Sequence, residues 1–412
     1  MRILIYGINY APELTGIGKY TGEMGAWLGE QGHDVTVVTT MPYYPEWEVH
    51  PEYRGRGSFI ERRGNVQIHR YPIYVPQEVS SIKRILHEFS FLARTSTFWL
   101  KSIFTKKYDL VFCVAPPFHI AILPLIYKFI KGGKLIAHIQ DLQVDAAKEL
   151  GMIKNNFFLN SMFGFERFLL KNSSKVSTIS EGMKRKILGK GVSENNILMF
   201  PNWVDQNTIT PVPITDSLRQ AWGLGLQDFV VLYSGNLGEK QGLEVIIEVA
   251  ELTKDLPHLK FVIVGSGGAK AKLEALVAQS NLQNIIFKPL QPYELLPKML
   301  GIANVHLVLQ KKSAADLVMP SKLTTILSAG GCAIVTADAG TSLYDLIQNH
   351  QVGLICPPES APALAATIRQ ASQQDLTVIQ ANARNYVLHN LTKEAILSSF
   401  EISIQHILHQ KN

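Results

Sequence analysis

Two short apolar runs that end in glycine-rich turns constrain the fold of this chain more than any other feature. In the first, an apolar run over 229–233 opens into a turn with Gly235 and Gly238 before a helical pattern begins. The second, over 261–268, repeats this arrangement, and a basic turn at 319–322 precedes another helical pattern. A strand, a glycine-rich loop and a helix together present backbone N–H groups and a positive helix end to an anion. The three turns therefore predict a phosphate-bearing ligand.

Apolar runs alternate with helical patterns along both halves of the chain. Strands covered on both faces read as nearly continuous apolar runs, and strands separated by helices form parallel, doubly wound sheets. The predicted strands lie at 3–6, 35–39, 110–114, 135–139 and 176–179, and at 230–233, 261–264, 285–287, 305–309 and 333–335. Ligands of such sheets bind outside the carboxyl ends of the strands, where the glycine-rich turns lie.

The length of 412 residues exceeds what one hydrophobic core usually supports and favours two domains. A segment rich in Thr, Pro and Asp, 205–217, is the predicted linker. We therefore predict an N-terminal α/β domain over 1–204 and a C-terminal α/β domain over 218–391. Residues 392–412 carry apolar residues at helical spacing and predict a closing helix, a candidate to pack back on the first domain.

The composition of the chain limits the kinds of ligand or partner that it can bind. A net charge of +6 suits an anionic ligand or an anionic membrane surface. Clustered Lys and Arg with interleaved aromatic residues are missing, which argues against nucleic acid. The three cysteines show no CxxC spacing, so we predict neither a disulfide framework nor a zinc site, and a reducing, cytoplasmic compartment is favoured. The apolar N-terminus is too short for a signal peptide.

Two segments raise the question of membrane contact. Residues 110–127 approach the ~18 apolar residues of a membrane span, but Pro116 and Pro117 interrupt them, so we predict a buried strand, a proline turn and an apolar helix. Residues 82–107 are basic and aromatic and could lie on an anionic membrane. Alternatively this second segment is an ordinary amphipathic helix whose core stripe is Ile82, Ile85, Phe89 and Leu92.

Several motifs resemble those of the family 4 retaining glycosyltransferases, which have the GT-B architecture of two Rossmann-like, doubly wound domains facing a cleft. The motifs lie at 9–18, 32–38, 200–205, 233–243 and 319–331. The last two are closest to the subgroup that builds colanic acid and similar surface polysaccharides. Together the motifs cover nearly the whole chain.

The resemblance implies transfer of a sugar from a UDP- or GDP-sugar with retained anomeric configuration, with a deoxyhexose such as fucose as a candidate. The acceptor would be a polyprenyl-diphosphate-linked sugar at the inner face of the cytoplasmic membrane, in exopolysaccharide synthesis. The nucleotide sugar would be a co-substrate, with no metal or other cofactor. A nucleotide-sugar 2-epimerase and a non-catalytic scaffold with the same fold are the alternatives.

In this family the C-terminal domain holds the donor, and departure of a nucleotide diphosphate calls for cations and N–H groups to stabilise its charge. The predicted donor-binding residues are Gly235, Asn236, Lys240, Gly265, Gly267, Pro320, Ser321 and Lys322. Lys240 could instead be an exposed surface lysine. Gly265 and Gly267 could instead form plain strand-to-helix turns.

The N-terminal domain would hold the acceptor. Gly16, Gly18, Lys19 and Tyr20 form the predicted loop at the acceptor or the donor diphosphate. His138 lies near the end of the strand predicted at 135–139 and Asp141 follows it, at a position where family members carry a residue that contacts the donor sugar or orients the acceptor. With Lys240 they are the predicted catalytic residues. His138 could instead be a buried histidine satisfied by a backbone partner.

One departure from the family pattern concerns a pair of glutamates that contact the donor sugar and the ribose. Alignment on Ala329 and Gly330 puts these positions at Leu317 and Thr325, and neither is acidic. Asp316 is adjacent to the first. This departure leaves the contacts to the sugar and the ribose unassigned.

The phosphate assignment of Lys240 yields a prediction. The substitution Lys240→Ala is expected to reduce turnover greatly and to weaken donor binding while leaving the fold intact, because it removes a cation assigned to the donor phosphates. Steady-state kinetics with a donor titration measure this effect, and near-normal transfer by the variant would contradict the assignment.

Overall fold

The structure is a computed structural model that describes residues 1–13, 16–78, 80–149, 151, 153, 155–238, 241–312, 315–316 and 320–409. Contacts between Cα atoms divide the chain into two units, Met1–Pro201 with Leu397–Asn412 and Asn202–Ile396. The boundary falls before the predicted linker because Val204 pairs with Thr392 in a β-bridge. The guanidinium of Arg384 also donates hydrogen bonds to the carbonyl oxygens of Gln206 and Ile209, which ties the linker segment to the second unit.

An eight-stranded sheet forms the centre of the first unit in its described residues, with strand order β3-β4-β2-β1-β5-β6-β7-β8. All neighbouring strands are parallel except the β3–β4 pair at one edge. The strands are β1 (Arg2–Tyr6), β2 (Asp34–Thr40), β3 (Phe59–Arg63), β4 (Val66–Tyr71), β5 (Leu110–Ala115), β6 (Lys134–Ile139), β7 (Lys175–Thr178) and β8 (Ile197–Met199). The helices are α1 (Gly16–Glu30), α2 (Ser81–Ile103), α3 (Ile122–Lys131), α4 (Gln143–Glu149), α5 (Asn156–Asn172) and α6 (Glu181–Gly189).

The second unit contains a six-stranded, fully parallel sheet in its described residues, with strand order β11-β10-β9-β12-β13-β14. Its strands are β9 (Phe229–Ser234), β10 (Leu259–Val264), β11 (Ile285–Lys288), β12 (Val305–Val308), β13 (Cys332–Thr336) and β14 (Gly353–Cys356). Its helices are α7 (Arg219–Trp222), α8 (Glu244–Leu252), α9 (Lys270–Gln279), α10 (Leu296–Leu300), α11 (Ser321–Ser328), α12 (Ser342–His350), α13 (Ala361–Gln373) and α14 (Thr377–Asn390). The last helix, α15 (Lys393–His409), begins in this unit, and its residues from Leu397 onward belong to the first.

The central strands of both sheets are buried along their whole length, as in β5, β12 and β13. Such strands are covered on both faces, which is why they read as continuous apolar runs. The two parallel sheets with their helices confirm the predicted α/β fold class. The structure also confirms that 110–127 is a strand, a proline turn and a helix, and no helix in the described part of the chain has the length and apolarity to cross a bilayer.

A buried charge cluster joins three helices of the first unit. The Nζ of Lys190, directly after α6, donates hydrogen bonds to the carboxylates of Asp145 on α4 and Glu166 on α5. Lys190 and Glu166 are 7% and 2% exposed. Burial raises the pKa of Glu166, while the Lys190 ammonium opposes this shift. Asp145 is thus a partner of this buried lysine.

Removing the cation of this cluster is expected to destabilise the protein. Lys190→Met leaves two carboxylates without their cation, and breaking a buried ion pair from one side costs about 3–5 kcal/mol. Thermal and urea unfolding measure the loss. Lys184→Met is the matched control, because Lys184 pairs with the exposed carboxylates of Glu181 and Glu194. Equal unfolding midpoints for the two variants would contradict this account.

Candidate functional site

The turns after β9 and β10 pack directly on each other in the second unit. The N–H of Gly235 donates to the carbonyl oxygen of Val264 at 3.0 Å, and the N–H of Leu237 donates to that of Ser266 at 2.9 Å. A Cβ added at Gly265 would lie 2.0 Å from the carbonyl oxygen of Gly235. Only glycine permits so close an approach of two backbones.

These contacts differ from the predicted roles of the glycines. Gly265 and Gly267 were predicted to bind the donor or to form plain strand-to-helix turns, and the space where a Cβ of each would lie is filled by the preceding turn. A Cβ at Gly267 would lie 2.5 Å from the carbonyl oxygen of Leu237 and 2.7 Å from the Oδ1 of Asn236. The N–H of Gly235, a predicted phosphate donor, is already engaged. The glycines instead shape the two turns as one packed unit.

Among the described residues, the ammonium of Lys322 lies beside these turns without a counter-charge. Its Nζ lies 3.7 Å from the centroid of the Tyr233 ring and would lie 3.8 Å from a Cβ at Gly235. Among the described residues it has no hydrogen-bond partner, and burial lowers its pKa to about 7. An unpaired buried cation is costly unless a ligand supplies the opposite charge. A bound anion would supply that opposite charge.

A helix end adds to the positive potential at Lys322. Lys322 is in the first turn of α11, which begins at Ser321 after Pro320. Pro320 at the N-cap makes no side-chain hydrogen bond to this end, and the N–H groups of a helix start and the helix dipole both favour an anion. The structure therefore brings Gly235, the Tyr233 ring and the first turn of α11 together around one ammonium group.

The positions of the missing glutamates can be followed only in part. Thr325 lies on α11 and is half-buried, whereas Leu317 lies outside the described residues, as does Lys240. The carboxylate of Asp316 accepts a hydrogen bond from the N–H of Ser342 at 2.9 Å. Asp316 thus binds the first turn of α12.

A second candidate region lies in the first unit, at the carboxyl ends of β1, β2, β5 and β6. It is a pocket with an empty volume of about 710 Å³, part of it open to solvent. Residues from the strand ends and from α1 and α2 line it: Ile8, Asn9, Gly16, Ile17, Tyr43, Tyr44, Trp47, Arg84, His87, Glu88, Pro116, Pro117 and Asp141.

Of the predicted acceptor loop, Gly16 lines this pocket. It has a φ of 59° at the start of α1, in the region that favours glycine, and a Cβ there would lie 3.4 Å from the Tyr44 ring. Gly18 makes room for a protein group, since a Cβ there would lie 2.4 Å from the Oε2 of Glu13. Lys19 pairs with Glu23 along α1, and Tyr20 is buried. These three residues thus support the helix beside the pocket.

The sequence reasoning missed Glu13, which is 6% exposed. Its Oε1 accepts hydrogen bonds from the N–H groups of Tyr43 and Tyr44, both at 3.1 Å, and its Oε2 accepts one from the Asn9 amide at 3.0 Å. Burial raises the pKa of the Glu13 carboxyl to about 7, although these donors oppose the shift. Glu13 therefore fixes the turn after β2 to the loop that precedes α1.

Polar groups of α2 form one wall of the pocket. His87 Nδ1 lies 2.6 Å from the carbonyl oxygen of Tyr74, so Nδ1 carries the proton and Nε2 accepts from the Tyr43 hydroxyl at 2.9 Å. This neutral form agrees with the lowered pKa of His87, which burial causes. The carboxylate of Glu88 accepts from the Nε of Arg84 at 3.3 Å and from the Gln143 amide at 3.1 Å.

The two predicted catalytic residues of this unit separate in the structure. Asp141 lines the pocket near Tyr44, and burial followed by the Asp141 charge raises the pKa of that tyrosine. His138 is 2% exposed, with its ring nitrogens 2.9 Å from Ser177 Oγ and 2.8 Å from Gln140 Nε2. Burial lowers the pKa of His138 to about 3, and its ring packs on Phe112.

The position of His138 therefore favours the alternative of a buried, satisfied histidine, although its partners are side chains and not backbone groups. Asp141 remains the predicted catalytic residue that the pocket exposes. Within the described residues, no cluster of three or more His, Cys, Asp and Glu side chains is arranged to hold a metal ion.

The raised pKa of Glu13 predicts a pH dependence of stability. In the folded protein the carboxyl keeps its proton up to about pH 7, whereas its ordinary value is 4.5. The contribution of the protonated Glu13 carboxyl to the unfolding free energy is fully present below its ordinary pKa. It is lost as the pH rises through 7, and the loss is up to roughly 3 kcal/mol. Glu13→Gln is thus expected to flatten the fall in unfolding free energy between pH 5 and 8.

Urea unfolding across this pH range measures the effect. The exposed Glu30 at the end of α1 provides the control variant Glu30→Gln, which should keep the wild-type pH dependence. An unchanged pH slope in Glu13→Gln would show that the buried carboxyl is already ionised at pH 5.

Comparison with known proteins identifies the family. Residues 15–203 match the model of the glycosyl transferase 4-like domain, and residues 215–386 match that of the glycosyl transferases group 1. The chain is 44% identical over 408 residues to the putative colanic acid biosynthesis glycosyl transferase WcaI of Escherichia coli K12. That match covers 97% of this chain and 98% of the relative.

Solved structures show the same fold over the full length. Sucrose-phosphate synthase from Thermosynechococcus elongatus matches with a TM-score of 0.77 at 18% identity, covering 100% of both chains. WaaG, a glycosyltransferase involved in lipopolysaccharide biosynthesis, matches with a TM-score of 0.65 at 16% identity, covering 98% of this chain and 99% of that chain. The chain is therefore an enzyme that belongs to the family 4 glycosyltransferases of the GT-B fold.

Proposed function

We propose that this chain transfers a sugar from a nucleotide-diphosphate sugar to a lipid-diphosphate-linked acceptor during synthesis of a surface polysaccharide similar to colanic acid. The relative from Escherichia coli, named for colanic acid biosynthesis, supports the pathway. The Anabaena protein HepE, whose structure holds UDP and glucose, has the same fold and supports a nucleotide-sugar donor. The observation on this chain that carries the proposal is the ammonium of Lys322, which has no hydrogen-bond partner in the described part of the chain.

The donor diphosphate would bind in the second unit against Lys322 and the first turn of α11. When the bond between the anomeric carbon and the phosphate oxygen breaks, negative charge develops on the leaving diphosphate. A preorganised cation at that point stabilises this charge and lowers the barrier. The pKa of Lys322, about 7 in the free protein, would rise once an anion binds beside it. Lys240, by its place in the sequence, would add a second cation, and no metal or further cofactor is proposed.

The acceptor would bind in the pocket of the first unit. The exposed part of Arg84 offers a cation to the acceptor's phosphates, since its side chain is 48% exposed while its Nε lies near Glu88. The Tyr44 and Trp47 rings offer apolar faces for the sugar. Asp141 would accept a hydrogen bond from the acceptor hydroxyl and orient its oxygen.

With retention of configuration, the acceptor oxygen bonds to the anomeric carbon on the face from which the diphosphate leaves. The departing phosphate oxygen takes the hydroxyl proton, so the reaction balances without a protein nucleophile. A lipid-linked acceptor would place the enzyme at the inner face of the cytoplasmic membrane. Transfer of a deoxyhexose such as fucose, from GDP or UDP, is the specific form that we propose to test first.

A donor screen tests the proposal. The purified chain is incubated with UDP- and GDP-sugars and a bacterial membrane lipid extract, and release of nucleotide diphosphate is followed. Release that requires both one donor and the extract would support a transferase with a lipid acceptor, and the anomeric configuration of the product would report retention or inversion. No release, together with no thermal shift from any donor, would favour a non-catalytic scaffold. Isomerised sugar without an acceptor would favour the 2-epimerase.

Lys322 can be tested by one substitution with two readouts. Lys322→Met is expected to lower turnover by about two orders of magnitude, as loss of one stabilising donor does, and to weaken donor binding. Its thermal stability should stay equal or increase, because the change removes a buried, unpaired charge. Kinetics and thermal unfolding measure the two effects.

The exposed Lys298 on α10 provides the control variant Lys298→Met, which should retain wild-type activity. If Lys322→Met instead lost stability while the remaining folded enzyme kept its turnover, the lysine would be structural and the diphosphate assignment would be wrong.

A further inference from the structure

Three neighbouring helices of the first unit share an exposed surface that is both apolar and basic. Helix α3 contacts both α2 and α5. Ring contacts join α2 and α5 to the short turn that precedes α3, since Phe89 on α2 stacks on His119 with centroids 4.8 Å apart and Phe118 contacts Phe165 on α5 at 6.0 Å. We call the exposed residues of α2, α3 and α5, with Phe104 directly after α2, the three-helix surface.

Many large apolar side chains of this surface are mostly exposed to solvent. Phe104 is 88% exposed, Phe157 82%, Ile82 74% and Phe129 64%. Others that are more than a third exposed are Ile85, Leu86, Phe89, Leu100, Ile126, Ile130, Phe158, Phe165 and Phe168. Single exposed apolar residues need no explanation, but a contiguous group marks a surface that binds a partner or a membrane.

Helix α2 shows that the exposure follows a helical stripe. Steps of four, three, eleven and four residues, the longest of them about three helical turns, separate Ile82, Leu86, Phe89, Leu100 and Phe104, so these residues fall along one outer face. The buried face of the same helix carries other residues, namely His87, Phe91, Thr95, Phe98 and Ser102. The interpretation of Ile82, Ile85, Phe89 and Leu92 as a core stripe is therefore wrong, since the first three are exposed and Leu92 is only partly buried.

The charges of the surface have one sign. Along the described helices α2, α3 and α5 the basic residues are Lys83, Arg84, Arg94, Lys101, Lys128, Lys131, Arg167 and Lys171. The acidic residues of these helices are Glu88 and Glu166, which are 6% and 2% exposed. Lysine and arginine place their stems along apolar surface and their charges beside phosphate head groups. A partner of this surface therefore needs an apolar interior for the exposed side chains and negative charges at its boundary for the basic ones.

We infer that the three-helix surface docks this enzyme on an anionic lipid bilayer. An isologous contact with a second copy would bring like charges together, which disfavours a homodimer on this face. The inference deepens the proposed function and rests on it for the lipid-linked acceptor. Arg84, His87 and Glu88 of the acceptor pocket lie on α2, so the helix that would lie on the lipid also forms a wall of that pocket.

Vesicle sedimentation with the full chain tests the inference. The probes are phosphatidylcholine vesicles with and without phosphatidylglycerol, at low and high salt. We expect binding that requires phosphatidylglycerol and weakens with salt. The double variant Phe129→Ser/Phe157→Ser and the double variant Lys101→Glu/Arg167→Glu should each weaken binding about tenfold or more, because they remove apolar burial and charge attraction separately.

A matched control replaces equally exposed apolar residues of the second unit. Leu226 and Val378 are 63% and 66% exposed, and Leu226→Ser/Val378→Ser should bind vesicles as the wild type does. Absence of wild-type binding, or equal binding by all the variants, would overturn the inference. So would a homodimer in light scattering that Phe129→Ser/Phe157→Ser dissociates, because the surface would then be a subunit interface.

The outcome is separable from that of the proposed function. The surface variants should retain the donor-induced thermal shift and transfer to a detergent-dispersed lipid acceptor, since none of their residues lies in the pocket or beside Lys322. Vesicle binding without any release of nucleotide diphosphate would support docking on a bilayer and contradict the transferase proposal. Release of nucleotide diphosphate without vesicle binding would support the transferase proposal and contradict docking on a bilayer.

Discussion

Burial of two parallel sheets on both faces is the constraint on which the rest of this structure depends. Central strands such as β5 and β12 leave no side chain free for solvent or ligand, so polar groups gather where the strands end. In the first unit these ends carry Asn9, Pro116 and Asp141, and in the second they carry the turns at Gly235 and Gly265. The sheets thus position both candidate sites, and the Tyr233 ring of β9 also contacts the Lys322 ammonium.

Buried cations show how the protein separates structural from functional charge. Lys190 has two carboxylate partners, and the guanidinium of Arg219 donates to carbonyl oxygens of its own unit, including those of Ile302 and Asp228. Lys322 has no such partner among the described residues and lies against an aromatic ring. A satisfied charge stabilises the fold, whereas an unsatisfied one costs stability that a bound anion would recover.

Sequence reasoning predicted the fold well because continuous apolar strands and glycine turns are local signals. It succeeded for β1, β9 and β10, and it brought Lys322 and Gly235 into one candidate site. It failed where the role of a residue depends on contacts between segments that are far apart in the sequence. The need for Gly265 arises from the carbonyl oxygen of Gly235, a neighbour in space that the sequence separates by a whole helix. The outward face of Ile82 likewise depends on where α2 packs, which spacing alone does not decide.

Proton-linked donor binding tests the central claim, that a nucleotide diphosphate binds at Lys322, most directly. The ligand is the nucleotide sugar identified by screening, because its diphosphate does not titrate near neutrality. Calorimetry measures its affinity from pH 6 to pH 8 in buffers of different ionisation enthalpy. Because the pKa of free Lys322 is about 7, the donor is expected to bind about tenfold more weakly at pH 8 than at pH 6, and binding at pH 8 is expected to take up a proton. The variant Lys322→Met should show neither the pH dependence nor the proton uptake. Affinity that does not change with pH, or that changes equally in the variant, would contradict it.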